Sequence, residues 1–234
     1  MLDLTAIKAI GLDLDDTLWP IWPTIERAEL ELNQWLQQRA PRTAAAFADM
    51  ARRVELREAV VLACPDIGHD MSALRRESIR LGLLRSGEDP ALAEPAFEVF
   101  FLHRMRVDLY ADALPALEFL AQRFPIVAIS NGNADVARVG IGAHFSASLS
   151  AHAFGVGTPD VRIFNAAAHA VGVLPHQLLH VGDDPALDVL GALDAGMQTV
   201  WLNRAEHAWR HERVPHVMVT SLQHLCQLLD PTAQ

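Results

Sequence analysis

The stretch Ile10-Gly11-Leu12-Asp13-Leu14-Asp15-Asp16-Thr17-Leu18 decides how this chain is read. It begins as an apolar strand and carries two carboxylates, Asp13 and Asp15, to the carboxyl end, with the Thr17 hydroxyl just beyond. Alternate residues of a strand share a face, so the two acids are expected to leave it together. Side by side they repel, and a bound cation or a raised pKa on one of them resolves the repulsion. The arrangement suits phosphoryl transfer: one carboxylate attacks phosphorus, the other hands a proton to the leaving oxygen, and Mg²⁺ holds the site together. Standing alone, an Asp-x-Asp is more often an acidic turn that caps the next helix.

The later chain carries the complementary pieces in order. Ile126-Val127-Ala128-Ile129-Ser130 is a second apolar strand ending in a hydroxyl, followed by Asn131-Gly132-Asn133. Leu178 to Asp188, Leu-Leu-His-Val-Gly-Asp-Asp-Pro-Ala-Leu-Asp, is a third strand ending in an acid cluster. Strands that all end in oxygen ligands define a site at the carboxyl edge of a parallel sheet, where open α/β folds bind ligands.

These motifs resemble those of the haloacid dehalogenase superfamily of hydrolases. The matching elements are Asp-x-Asp-x-Thr at Asp13 to Thr17, a strand-borne hydroxyl at Ser130, and Gly-Asp-x-x-x-x-Asp from Gly182 to Asp188. Asn131-Gly132-Asn133 and Ile141-Gly142-Ala143-His144-Phe145 are further similar to the branch that hydrolyses FMN and the pyrimidine phosphates of flavin synthesis. The resemblance implies an aspartyl nucleophile at Asp13, an acid/base at Asp15, and phosphate contacts from Thr17 and Ser130, with Asn131 beside them. It also implies Mg²⁺ held by Asp13, the Asp15 carbonyl and Asp183, with Asp188 supporting the shell. The substrate it implies is a small phosphorylated metabolite, FMN-like or a sugar phosphate.

More than a hundred residues of different texture separate the first two strands. Thr24 to Arg39, Arg42 to Ala63, Met71 to Leu83 and Ala91 to Val107 show helical spacing, with Ile25, Leu32, Trp35 and Leu36 in one stripe. Pro41, Asp70 and Pro90 fit helix starts, and Gly68 and Gly87 fit breaks. From Tyr110 onward helix and strand alternate: Asp112 to Arg123, Pro125 to Ser130, Ala134 to Val139, Ser146 to Leu149, Asp160 to Val171, Leu178 to Val181, Pro185 to Ala195 and Thr199 to Leu202. Such alternation predicts an α/β fold, a doubly wound parallel sheet covered by helices. The expected division is an α/β core of residues 1–19 and 109–234 with an inserted helical domain of residues 20–108, which the resemblance implies is a cap over the catalytic edge.

Composition narrows the partners. A net charge of −10 argues against nucleic acid, whose phosphates demand a basic surface. The two cysteines, Cys64 and Cys226, show no zinc spacing and are expected as reduced thiols. Met1 to Ala9 lacks a basic segment leading into an apolar run, and no stretch approaches ~18 continuous apolar residues. A cytoplasmic protein without membrane partners is the expectation. The histidines are scattered, and His152 reads as an exposed loop residue.

One position departs from the family. Where the resemblance implies a lysine before a helix-opening proline, the run Gly157-Thr158-Pro159-Asp160-Val161-Arg162 has Thr158. Lys8 is the sole lysine of the chain, and at ~3.3 Å per residue it lies ~16 Å from Asp13. Loss of one preorganised electrostatic group typically costs ~10²–10³ in rate, so a weakened phosphatase, or a noncatalytic phospholigand-binding or regulatory protein, is an open alternative. Thr158, a candidate phosphate contact, is expected to cap the helix begun by Pro159, leaving Arg162 one turn in, either directed back toward the phosphate as a further candidate contact or solvated. Trp19, Pro20, Trp22 and Pro23 read as an apolar wall for the leaving group or as plain packing, and Asp184 as a further metal-shell acid or a turn residue.

Overall fold

Short apolar runs, buried along their whole length, build the centre of the sheet. The structure, a computed structural model, describes residues 2–230. The strands are β1 (Ala9–Leu12), β2 (Ile126–Ser130), β3 (Ala147–Ser150), β4 (Leu178–Gly182), β5 (Gln198–Leu202) and β6 (Val217–Val219). Every residue of β1, β2, β4 and β5 is buried, as expected for parallel strands covered on both faces. The order is β3-β2-β1-β4-β5-β6, with each neighbouring pair parallel. This is the doubly wound α/β fold anticipated from the alternation. Winding reverses at β1 and β4, and the crevice at their carboxyl ends is where such sheets bind ligands.

The chain divides into two units, Met1–Pro20 with Asp108–Gln234, and Ile21–Val107. The second is entirely helical: α1 (Ile21–Arg39), α2 (Pro41–Phe47), α3 (Met50–Ala63), α4 (Met71–Arg85) and α5 (Ala93–Arg104), with short 3-10 turns between. In α1 the buried residues include Ala28, Leu32 and Leu36, a four-residue repeat that makes one apolar stripe. They join Phe47, Leu56, Ile79, Leu83, Phe97 and Phe100 in a core of their own. The expected single helix over Arg42 to Ala63 is broken at Ala48 and Asp49. Apolar spacing runs across the break, but Asp49 takes an extended backbone and its carboxylate accepts from Ala51 N at 2.9 Å, the local capping bond by which aspartate competes with continued helix.

In the sheet-bearing unit the helices are α6 (Ala113–Ala121), α7 (Val136–Val139), α8 (Ala151–Phe154), α9 (Val161–Ala170), α10 (Gly191–Asp194) and α11 (Leu222–Leu229). Ile163, Phe164, Ala167 and Ala168 of α9 pack with Ala9, Val127, Ile129 and Leu178 of the sheet. The expected helix over Pro185 to Ala195 is a π-helical turn, Pro185–Leu190, running into α10. β6 and α11 were not anticipated. Among the described residues no helix is long and apolar enough to cross a membrane.

Candidate active site

β1 ends at Leu12, one residue before the first acid. Asp13 still extends the ladder, its N–H donating to Val181 O at 3.0 Å, but the chain then turns. Asp16 takes a left-handed backbone with φ 58°, Leu18 N donates to Leu14 O at 2.8 Å, and Asp16 N donates to Trp19 O at 2.7 Å. Asp13 and Asp15 therefore do not leave one strand as alternate residues. Asp15 sits on a turn, where its carboxylate accepts from Trp19 Nε1 at 2.8 Å. Trp19 is fully buried and serves as an anchor for Asp15, a use neither sequence reading foresaw, whereas Trp22 is largely exposed.

Asp183 follows β4 directly, and β1 and β4 are neighbours in register, Leu12 opposite Val181. One oxygen each of Asp13, Asp183 and Asp188 lie within 4.8 Å of one another. Burial pushes the Asp13 carboxyl well above the ordinary carboxylate range, and Asp188, Asp183 and Asp15 push it further. Asp183 is pushed up to about 7 by burial, then by Asp188 and Asp16. The oxygen-only donor set and the mutual repulsion of these acids suit a hard divalent cation, which would relieve both.

Neighbouring groups hold this cluster in place. The Thr17 hydroxyl donates to Asp183 Oδ1 at 3.3 Å. Trp201 Nε1 donates to the Asp183 carbonyl at 2.8 Å. Arg204, paired with Asp112 through both oxygens at 3.0 and 3.2 Å, also donates to the Thr17 carbonyl at 3.0 Å. The second oxygen of Asp188 accepts from Asp184 N at 3.0 Å. Asp184 itself caps the π-helical turn, accepting from Ala186 N and Leu187 N at 2.7 and 2.8 Å, so it is a turn residue. Trp201, Arg204 and Asp112 gave no sequence signal, because Trp201 and Arg204 act on main-chain carbonyls distant in the chain and Asp112 acts through Arg204.

The other side of the edge is neutral. Ser130 ends β2, is buried, and its oxygen accepts from Gly132 N at 3.0 Å, which leaves the hydroxyl hydrogen to donate. Asn131 is joined to Thr158 by three hydrogen bonds. Its Nδ2 donates to Thr158 O and Oγ1 at 3.0 and 2.9 Å, and its Oδ1 accepts from Thr158 N at 2.7 Å. The helix-cap reading of Thr158 is corrected: α9 begins at Val161, and Asp160 caps it by accepting from Arg162 N at 2.9 Å. Asp160 sits immediately before the first helical residue with an extended backbone, the placement a side-chain cap requires. Arg162 is committed to the same acid, its Nε and Nη2 donating to the two Asp160 oxygens at 2.9 and 2.7 Å, and it is exposed. That pairing keeps Asp160 low, at about 2, and the expected reach of Arg162 toward phosphate is replaced by this surface pair.

Comparison with known proteins agrees with this geometry. Residues 7–196 match the haloacid dehalogenase-like hydrolases. The chain is 35% identical over 235 residues to the 5-amino-6-(5-phospho-D-ribitylamino)uracil phosphatase YigB of Escherichia coli strain K12, covering 97% of this chain and 98% of that one. It is 34% identical over 155 residues to a phosphoserine phosphatase of Thermus thermophilus, 64% of this chain and 62% of that one. Among solved structures, a 2-haloacid dehalogenase of Pseudomonas syringae pv. Tomato superposes with a TM-score of 0.90 at 36% identity, covering 95% of this chain and 98% of that one. A matched α/β sheet, an acid cluster at its carboxyl edge and a family match spanning most of the sequence lead to one statement: this chain belongs to the haloacid dehalogenase-like hydrolases.

Proposed function

We propose that the protein is a Mg²⁺-dependent phosphatase that hydrolyses a small-molecule phosphomonoester through an aspartyl-phosphate on Asp13. The observation that carries this reading is the convergence of Asp13, Asp183 and Asp188 within 4.8 Å beside the separately held Asp15. Asp13, the Asp15 carbonyl and Asp183 would hold the cation, with Asp188 supporting them. Bound there, Mg²⁺ supplies charge neutralisation at the acids and at the phosphate oxygens. An oxygen of Asp13 attacks phosphorus and the bond from phosphorus to the ester oxygen breaks. Asp15, protonated, gives its proton to that oxygen. In the second half, Asp15 as carboxylate takes a proton from water, whose oxygen attacks phosphorus and releases Asp13 and phosphate. Ser130 donates to a phosphate oxygen, whereas the buried Thr17 hydroxyl, expected as a second phosphate contact, is spent on Asp183 and orients that acid instead. The helical unit acts as the cap domain whose loops set substrate choice.

The likeness to a phosphatase acting on a ribitylaminouracil phosphate favours a phosphorylated pyrimidine or flavin-like alcohol as substrate. Carbon–halogen displacement leaves no alkoxide to protonate and has no use for Asp15, so the phosphatase reading accounts for one more residue than a dehalogenase reading. The neutral Asn131–Thr158 pair supports a second reading, a noncatalytic phospholigand-binding protein. One screen separates all three: phosphate release with Mg²⁺ from FMN, sugar phosphates and an aryl phosphate, alongside halide release from a 2-haloacid. Phosphate release that is lost in Asp13→Asn is expected. In Asp15→Asn the loss should be larger for alkyl phosphates than for the aryl phosphate, whose leaving group needs little protonation. Halide release alone, or phosphate binding without turnover, would replace this reading.

A further inference from the structure

The buried histidine of β4 has no part in the chemistry above. His180 interrupts an otherwise apolar strand, is 1% exposed, and has no hydrogen-bond partner for either ring nitrogen among the described residues. Burying a polar ring without partners is costly, and such a group in a folded protein calls for an explanation. A packing role needs no nitrogen.

Space has been cleared for the ring. Gly11 lies opposite His180 in the β1–β4 register, and a Cβ at Gly11 would stand 3.0 Å from His180 Nδ1. Two residues along β4 on the same face, a Cβ at Gly182 would overlap the Asp188 carboxylate. Phe164 closes the far side with its ring edge-on, centroids 5.1 Å apart at 78°. Within this space His180 Nε2 faces Asp188 Oδ1 at 3.5 Å, longer than a hydrogen bond but within a small side-chain rotation of one. The other Asp188 oxygen is taken by Asp184 N. Asp188 is 4% exposed and is pressed by two neighbouring acids, so a carboxylate held by one donor alone is free to swing away from them.

We propose that His180 is a positioning residue for the acid cluster: its Nε2–H engages Asp188 Oδ1 and, with Asp184 N, fixes both oxygens of that carboxylate toward Asp13 and Asp183. The proposal rests on the reading of the cluster as a divalent-cation site. It extends to this chain the general rule that outer partners orient acids around a metal.

The test is Mn²⁺ binding to the full chain, titrated calorimetrically and by the Mn²⁺ resonance signal, in wild type, His180→Phe and His180→Gln. Phe keeps a ring against Phe164 but removes the donor, and should weaken binding ~10–100-fold. Gln restores an N–H near the Nε2 position and should recover most of that loss, which a purely packing role would not predict. Binding in His180→Phe within about twofold of wild type would overturn the positioning role while leaving the metal site intact. Absence of Mn²⁺ binding in wild type would overturn both readings. Should His180→Phe fail to fold, ring ¹⁵N spectra of the wild type decide: a protonated Nε2 whose shift moves on Mg²⁺ addition is expected, and an Nδ1–H tautomer would refute the proposal.

Discussion

On the β1 and β4 side of the site three carboxylates crowd within 4.8 Å of one another, whereas on the β2 and α9 side Asn131 and Thr158 satisfy each other with three neutral hydrogen bonds. The first region is polar and under repulsive load, with Asp13 and Asp183 both raised by burial and by their acidic neighbours. The second is balanced within itself and brings no charge to the edge, since Arg162 is paired off with Asp160 at the surface. The difference teaches where catalytic power and stability reside. On the proposed reading, the acidic side trades stability for a cation site, and the neutral side contributes order but would give little electrostatic help to a dianionic phosphate.

The sharpest way to break this comparison is Asp13→Asn. An amide is a poor nucleophile and a poorer Mg²⁺ ligand, so phosphate release should fall by at least ~10³-fold. A smaller loss in a steady-state assay would show that the acidic side does not carry the chemistry. Thr158→Lys tests the other side. Two of the three bonds to Asn131 use the main chain of Thr158 and can survive, and an ammonium group there should raise kcat/KM by ~10–10³-fold. No gain would mean that charge on the neutral side is not what limits the rate.

Stability gives a second contrast. Asp183 binds its proton more tightly in the folded state, at about 7 against 3.8 for the ordinary group. The folded chain therefore holds more protons than the unfolded chain between those values, and stability falls as pH rises through that window. In EDTA the unfolding midpoint should drop between pH ~4 and ~7, less steeply in Asp183→Asn, and Mg²⁺ should flatten the wild-type slope. Asn131→Ala should destabilise by ~1–3 kcal/mol in urea unfolding, with little pH dependence, because it leaves the buried Thr158 groups without partners. Smallest of all, Arg162→Ala should leave both activity and melting temperature essentially unchanged, since an exposed ion pair contributes little. A clear loss of phosphate affinity in that variant would return Arg162 to the site.

Much of this arrangement is legible without coordinates, for physical reasons visible at particular residues. Ile126 to Ser130 and Leu178 to Gly182 are too apolar and too short for anything but buried parallel strands, and a hydroxyl or an acid at the end of such a strand has only the carboxyl edge to occupy. The helical stripe of α1 follows from Ala28, Leu32 and Leu36 recurring every fourth residue. Asp49 was harder to read, because apolar spacing continues across it and a single side-chain cap decides against the longer helix. β6 escaped because three apolar residues are a weak pattern until β5 supplies a partner, whereas α11 had a local signal that was passed over, a Ser221 cap followed by Leu222, Leu225 and Leu229 on one face.

The sequence by itself determined the doubly wound class and the chain order of the acid motifs, because both follow from local periodicity and from what a strand end can present. Only the tertiary structure decided which acids meet, that Asp15 is held by Trp19 apart from the cluster, and that His180 lies in the space left by Gly11. Those outcomes depend on register between strands distant in the chain and on side-chain rotamers in a close-packed interior. Neither is encoded in the spacing of residues along one segment.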